Sequence, residues 1–220
     1  MTDNTLDPMA QLNFGRLETK TTYLVVGSRG AGKTLFCMLA AISYALRDMT
    51  VLYTMTQGDL SFNLANNLVE NYKLPKRVLK NITFMRPNNR NAESKIPQLL
   101  EELKPSIFIL DEAIWSYGNY VVENFELAVY RSRLLSGMLA EIHSLRERIG
   151  FTIIYTADIQ QGGRILADGV LNYFSDTVVE LSRHRGNRNQ FDAALLRDGL
   201  KLKSYSYTID KLGFRVGEHS

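Results

Sequence analysis

The sequence predicts an α/β fold, in which buried strands alternate with helices and a run of short strands closes the chain. A glycine-rich motif over residues 27–34 lies between an apolar strand and an apolar helix. A second apolar strand, over residues 106–110, ends in the pair Asp111 and Glu112. From Asp176 onward the pattern changes to short strands joined by turns. The 220 residues suit one large domain, or one domain with small appendages.

The composition argues against a membrane-spanning, secreted or disulfide-bonded protein. Hydrophobic residues make up 45 % of the chain, which is ordinary for a globular protein, and no apolar run approaches the roughly 18 residues that span a bilayer. Residues 1–7 are polar and acidic, unlike a signal peptide. We therefore expect a cytoplasmic protein without membrane insertion. The single cysteine, Cys37, excludes a disulfide within the chain and is expected in the core. The net charge of +3 allows nucleic-acid binding without arguing for it.

The glycine-rich motif fits the P-loop pattern G-x-x-x-x-G-K-[ST] at every fixed position. Its glycines let successive backbone N–H groups point at phosphate oxygens, and the following helix adds the positive end of its dipole. Lys33 is expected to reach the β- and γ-phosphates of ATP, and Thr34 to hold Mg²⁺. The alternative is a chance glycine-rich turn, which the strand–loop–helix context disfavours. The predicted nucleotide-binding residues are Gly27, Ser28, Arg29, Gly30, Ala31, Gly32, Lys33, Thr34 and Leu35.

A second buried strand is predicted over residues 50–55, followed by a turn at 57–59. Ser61 could cap a helix that runs to about Tyr72, with its apolar face formed by Phe62, Leu64, Ala65, Leu68 and Val69. Residues 73–95 are rich in Lys, Arg and Asn and contain a short strand at 82–85. A helix then begins at Ser94 or Lys95 and ends before Pro105.

The strand that ends in Asp111 and Glu112 has the Walker B arrangement. Asp111 is predicted to bind Mg²⁺, directly or through water, and Glu112 to polarise an attacking water. The alternative is a strand followed by a solvated acidic turn. The position downstream of a well-formed P-loop favours the Walker B interpretation.

Residues 113–124 form a predicted loop with Trp115, Tyr117 and Tyr120, which either stack on bases or pack under a neighbouring helix. A long helix is predicted over 125–149, and its apolar set is Leu127, Val129 or Tyr130, Leu134, Met138, Ile142 and Leu145. A strand at 151–156 and a short helix at 164–174 follow. The closing strands are predicted at 177–181, 191–196, 205–209 and 214–216.

The order of these pieces resembles the RecA, RadA/RadB and KaiC group of P-loop ATPases. The likeness is carried by VLYTMTQGDLS at 51–61, by the helix and strand ending in YTADI at 155–159, by GGRILADGVLNYFSDTVVEL at 162–181 and by YTIDKLGFRV at 207–216. It implies a RecA-like P-loop NTPase core, a twisted and mainly parallel sheet flanked by helices, with C-terminal antiparallel hairpins. It also implies a lead-in over 1–20, an ATPase domain over 21–220, and a homo-oligomeric ring or filament with ATP between subunits.

The sequence departs from that group in three places. Gln57 stands where the group has a catalytic glutamate, so Glu112 is the substitute and hydrolysis is expected to be slow. The sensor motif reads Thr156, Ala157 and Asp158, so the sensor role falls to Asp158, to Gln160 or Gln161, or is lost. The segment between Asp158 and Gly162 is short, which argues against strand exchange.

Basic residues acting from a neighbouring subunit are predicted among Lys201 and Lys203 or among Arg183 and Arg185, with a solvated basic surface as the alternative. The resemblance favours a Mg²⁺-dependent ATPase acting on DNA in recombination or repair. The alternatives are a KaiC-like or archaellum-accessory-like regulator, with a protein partner, and an FtsK/HerA-like viral DNA-packaging or translocating ATPase. The closing hairpins and the double glycine at 162–163 disfavour the last.

Overall fold

The computed structural model describes residues 6–55, 60–87, 93–113, 125–159, 167–184, 186–187 and 189–217. For residues 60, 125–129 and 131 it describes the backbone alone. Several predictions fall outside these ranges: the roles of Gln57, Gln160, Gln161 and Arg185, the aromatic loop after Ala113 and the double glycine.

A nine-stranded sheet runs through the described chain in the order β3-β2-β4-β5-β1-β6-β7-β8-β9. The pairs from β3 to β6 are parallel, and β7, β8 and β9 continue the sheet as antiparallel hairpins. The strands are β1 Thr22–Gly27, β2 Val51–Met55, β3 Ile82–Met85, β4 Ile107–Asp111, β5 Thr152–Asp158, β6 Thr177–Arg183, β7 Phe191–Arg197, β8 Leu200–Asp210 and β9 Gly213–Val216. The predicted mainly parallel sheet with closing hairpins is confirmed.

Helices cover both faces of the parallel strands. They are α1 Pro8–Gln11, α2 Lys33–Ala45, α3 Leu60–Asn71, α4 Ile96–Leu103, α5 Phe125–Ile149 and α6 Asp168–Tyr173, with a 3-10 helix at Lys76–Asn81. Strand β1 is buried along its whole length, because it lies between β5 and β6 in the middle of the sheet. Its side chains alternate between two cores, Tyr23 and Val25 facing α2 and Leu24 and Val26 facing α5. Among the residues that the structure describes, no helix is long and apolar enough to cross a membrane.

The lead-in packs into the core on the α2 side. Asp7 caps α1 by accepting from the N–H groups of Met9 and Ala10, and its second oxygen accepts from the N–H of Leu17. Leu12 and Phe14 are buried beside them. A short helix therefore forms where the sequence has no clear periodicity, because capping and burial compensate for its length.

Two helix predictions need correction. Helix α3 begins at Leu60, so Ser61 lies in its first turn rather than at its cap, where its side chain hydrogen-bonds with Tyr53. In α5 the predicted face is wrong in its first half, since Leu134 is 47 % exposed whereas the buried positions are Leu135, Leu139, Ile142 and Leu145. Leu134 and Leu135 are adjacent leucines, and periodicity alone does not decide which of them faces the sheet.

All four closing strands are longer than predicted, β8 by the most. Strand β8 begins at Leu200 rather than at residue 205, because β7 continues to pair with it up to Arg197. Residues 200–204 are exposed, so this part of the strand lacks the alternation of buried and exposed side chains that would have revealed it.

Candidate nucleotide-binding site

The P-loop connects the end of β1 to α2 at the carboxyl edge of the parallel strands. Gly30 and Gly32 have φ angles of 81° and 98°, a region that side chains other than glycine rarely adopt. A Cβ atom on Gly27 would collide with the backbone carbonyl of Leu181 on β6, so a glycine is required there as well. Three glycines of the motif thus serve the loop's shape and its close packing.

Lys33 lies inside this loop and is almost fully buried. Its ammonium Nζ is 3.0 Å from the carbonyl oxygen of Gly27, 3.2 Å from that of Ser28 and 2.6 Å from Oδ1 of Asp158. Asp158 ends β5, which pairs directly with β1. The two predicted catalytic residues Lys33 and Asp158 are therefore an ion pair, in which the carboxylate lies close to where the phosphates would be held.

Asp111 ends β4 and is 5 % exposed. Tyr53, on β2, donates its hydroxyl proton to Oδ2 of Asp111 at 2.9 Å, and Thr156, on β5, donates to Oδ1 at 2.8 Å. Burial, and then the neighbouring carboxylate, raises the pKa of Tyr53 well above its usual range, so its hydroxyl stays protonated and donates. Both neighbouring strands thus orient the Asp111 carboxylate.

Glu112 follows Asp111 in a left-handed conformation with φ 62°. Its backbone N–H donates to Oγ1 of Thr156 at 2.6 Å, so the hydroxyl that holds Asp111 also holds the turn. A non-glycine residue at positive φ is uncommon, and such conformations cluster at functional sites. The N–H of the next residue, Ala113, donates to the carbonyl of Thr156 at 3.0 Å, so the chain stays bonded to β5 through Ala113.

A cleft of about 600 Å³ opens over the P-loop. One end holds Lys33, Thr34, Glu112 and Asp158, and the other is walled by α3 and by the turn from β8 to β9. The residues that line this second end are Leu64, Asn67, Leu68, Glu70, Asn71, Ile209, Asp210 and Lys211. The volume lies within the usual range for small-molecule sites.

The far wall of the cleft is held together by side-chain hydrogen bonds. Asn71 donates to the carbonyl of Lys211 at 2.9 Å, and the hydroxyl of Tyr72 donates to the carbonyl of Leu212. Gln11 links the end of α3 to the terminal hairpin. Its side chain donates to the Tyr72 hydroxyl at 2.8 Å and accepts from the N–H of Phe214 at 2.8 Å. The lead-in, α3 and the terminal hairpin therefore form one support for this end of the cleft.

No family model matches the chain. It is 23 % identical to the DNA repair and recombination protein RadB of Methanococcus maripaludis strain C7, over 90 % of this chain and all of the relative. The RadB protein of strain C5 is 21 % identical over 90 % of this chain and 99 % of its own length. These likenesses extend over nearly the whole chain. The chain is a RecA/RadB-like P-loop protein.

In this RecA/RadB-like chain the structure gathers most of the predicted site. Lys33, Thr34, Glu112 and Asp158 share one cleft, which Arg29, Gly30, Gly32 and Leu35 also line. Lys201 and Lys203 lie elsewhere, exposed on β8. Following the strand pairing from β8 across β7 and β6 to β1, Lys203 is in register with Val25. Val25 lies in the middle of β1 rather than at the carboxyl edge of the sheet. A role for these lysines toward a neighbouring subunit stays a prediction.

The sequence did not predict that Tyr53 and Thr156 hydrogen-bond to Asp111. It also did not predict that α3 and the turn after β8 line the cleft. Tyr53 reads as an ordinary apolar strand residue, and Thr156 as part of a sensor motif. Their partnership with Asp111 depends on the strand order β2-β4-β5, which places one of them on either side of β4. Hydroxyl-bearing residues near the carboxyl ends of strands that flank a Walker B strand are the pattern that could have revealed them.

The residues present fit Mg²⁺ and a nucleoside triphosphate. Thr34 and Asp111 offer hard oxygen ligands, and Mg²⁺ is usually bound by one or two such groups together with phosphate oxygens. No cluster of three or more His, Cys, Asp or Glu side chains suited to a metal occurs in the described ranges. A cation at Thr34 and Asp111 would therefore depend on the nucleotide for the rest of its coordination.

Proposed function

We propose that the chain is a Mg²⁺-dependent ATP-binding protein that hydrolyses ATP slowly and acts on DNA in repair or recombination. The observation that supports the ATPase part is that one edge of the sheet carries both the P-loop lysine Lys33 and the buried Asp111, whose carboxylate accepts two hydrogen bonds. The likeness to RadB proteins, which are DNA repair and recombination proteins, supports the DNA part.

Each residue has a separate task in this mechanism. Lys33 and the P-loop N–H groups bind the β- and γ-phosphates and offset the charge that develops on them. Thr34 and Asp111 would hold Mg²⁺, which would offset negative charge on the phosphates. Glu112 orients and polarises the attacking water, because Gln57 cannot accept its proton.

Substitutions at Lys33 and Glu112 test the ATPase part. Lys33→Ala is expected to lose ATP binding, whereas Glu112→Gln should bind ATP normally and hydrolyse it at least about tenfold more slowly. Glu101→Gln is the matched control, since Glu101 lies on α4 in an exposed pair with Arg148. Unchanged turnover in Glu112→Gln would show that Glu112 does not activate the water. Gln57 and Asp59 would then be the next residues to substitute.

A nucleotide-dependent regulator with little turnover is the second candidate function. The ion pair between Lys33 and Asp158 favours it, because a carboxylate close to the phosphates opposes the development of further negative charge. Binding to single-stranded DNA, with and without ATP and at two salt concentrations, separates the candidates. Affinity for DNA that falls with salt supports repair or recombination, and its absence supports the regulator.

A further inference from the structure

Arg183, the last residue of β6, lies beside the P-loop of its own chain. Strand β6 pairs with β1 in parallel, with Leu181 opposite Gly27. Two residues further on, the guanidinium of Arg183 turns toward the loop, and a Cβ atom built on Gly30 would lie 3.9 Å from its Nη2. Arg183 was predicted as a candidate to act on a neighbouring subunit, but its position is at the site of the subunit that carries it.

The surrounding hairpin holds this arrangement in place. Arg183 pairs with Phe191 across β6 and β7, and cross-strand partners share a face of the sheet. The ring of Phe191 stacks on Tyr207 with ring centroids 5.4 Å apart, and the Tyr207 hydroxyl donates to the carbonyl of Ala31 at 2.7 Å. The face that carries Arg183 is thereby fixed directly to the P-loop.

The charge of Arg183 is not neutralised by the residues that the structure describes. Its side chain is exposed and makes no hydrogen bond or ion pair with them. The nearby carboxylate of Asp192 lies on the opposite face of the sheet, where His184 Nδ1 is 3.0 Å from both of its oxygens and Ser206 donates to it at 2.7 Å. By contrast, Arg197 at the other end of β7 pairs with Glu18.

We propose that Arg183 binds the β- and γ-phosphates of the nucleotide held by the P-loop of the same subunit, as a second cation beside Lys33. The inference rests on the proposed nucleotide binding. A guanidinium is always charged, and its planar fork matches phosphate oxygens bidentately. Its placement against Gly30, in the middle of the loop, suits contact with the outer phosphates more than with the nucleoside.

Binding of a non-hydrolysable ATP analogue and of ADP to the full chain tests this directly. Arg183→Ala is expected to weaken analogue binding at least about tenfold and ADP binding less, since ADP keeps only one of the two phosphates, and Arg183→Lys to fall between Arg183→Ala and wild type. Arg197→Ala is the control and should match wild type. Equal affinities of Arg183→Ala and wild type for the analogue would overturn the inference. A folded wild-type chain that binds neither nucleotide would reject the proposed function itself.

Mixing subunits separates action on the same subunit from action on a neighbour. Lys33→Ala supplies an intact Arg183 but no nucleotide site, and Arg183→Ala supplies the reverse. If Arg183 serves its own P-loop, mixtures of the two variants bind the analogue only as weakly as Arg183→Ala alone. Recovery of tight binding in the mixture would show that Arg183 reaches a neighbouring site and would overturn the assignment.

Discussion

At the scale of single residues, the site depends on how a buried carboxylate is satisfied. Asp111 is 5 % exposed, and a charge so placed is costly unless donors surround it. Tyr53 and Thr156 supply those donors from the two adjacent strands. The hydroxyl of Thr156 also accepts from the N–H of Glu112, which makes the strand end and the turn a single hydrogen-bonded unit.

Removing the Tyr53 hydroxyl should therefore affect both stability and chemistry. We expect Tyr53→Phe to lower the free energy of unfolding by about 1–3 kcal/mol and to reduce Mg²⁺-dependent turnover, because Asp111 loses one of its donors. Tyr44→Phe is the matched control, since it breaks a buried hydrogen bond with Thr152 away from the cleft. Urea unfolding and ATPase assays measure the two effects. The same turnover in both variants would mean that Tyr53 does not orient Asp111.

The ion pair between Asp158 and Lys33 predicts a gain in affinity on substitution. Asp158 is half exposed, so the pair is worth about 1 kcal/mol at most. Asp158→Asn should release Lys33 for the phosphates and tighten ATP binding by about three- to fivefold, while turnover falls if Asp158 is the sensor. Asp168→Asn, on α6, is the control. Titration calorimetry that finds unchanged or weaker ATP binding in Asp158→Asn would contradict the competition.

At the scale of elements, the packing of α5 on the sheet half-buries the ring of His143 and buries its Nε2. His143 lies 4.9 Å from the ring of Phe174 and 6.3 Å from that of Tyr155, measured between ring centroids. Neither its Nε2 nor the Tyr155 hydroxyl has a hydrogen-bond partner within the described parts of the chain. Burial, and then the nearby Arg146 charge, lowers the pKa of His143 to about 4. The folded state therefore keeps this ring neutral at neutral pH.

This lowered pKa sets the direction of a pH effect on stability. Between about pH 6.5 and about pH 4 the unfolded chain binds a proton at His143 that the folded chain does not, so its contribution to stability is lost as pH falls. His143→Phe should remove that part of the dependence. Urea unfolding of both proteins at several pH values between about 7 and about 4.5 measures it. If stability depends on pH in the same way in wild type and variant, His143 is not kept neutral by the folded state.

At the scale of the whole molecule, the two basic segments lie toward opposite ends of the sheet. Lys76, Arg77 and Lys80 are exposed on the 3-10 helix that leads into β3, the first strand in the sheet order. Lys201 and Lys203 are exposed on β8, seven strands away, which is about 34 Å at the usual strand spacing. The two segments are therefore expected to have separate roles.

The β3 end is the expected DNA surface, because the family resemblance makes the β8 lysines candidates for a role at a neighbouring ATP site. Substituting Lys76, Arg77 and Lys80 together by alanine should weaken DNA binding and reduce the slope of log affinity against log salt by about three at most, without changing ATP turnover. Substituting Lys201 and Lys203 should lower turnover of the assembled protein. Filter binding at several salt concentrations, with ATPase assays, distinguishes them. Loss of DNA affinity only in the β8 variant would reverse the assignment.

The sequence by itself determined the parts of this protein that depend on local pattern. The P-loop follows from its residue spacing, the central strands from continuous apolar runs and the Walker B pair from its place at a strand end. These features are local because phosphate binding needs consecutive N–H groups and a buried parallel strand needs consecutive apolar side chains. The mainly parallel sheet and closing hairpins, predicted through the family resemblance, were confirmed as well.

Only the tertiary structure decided which distant residues meet at the P-loop. Tyr53 and Thr156 reach Asp111, and Arg183 reaches Gly30, because the strand order places β2 and β5 beside β4 and β6 beside β1. Strand order is set by long-range packing, which leaves no periodic trace in the sequence. The choice between Leu134 and Leu135 on α5 was decided in the same way, by which side chain met the sheet.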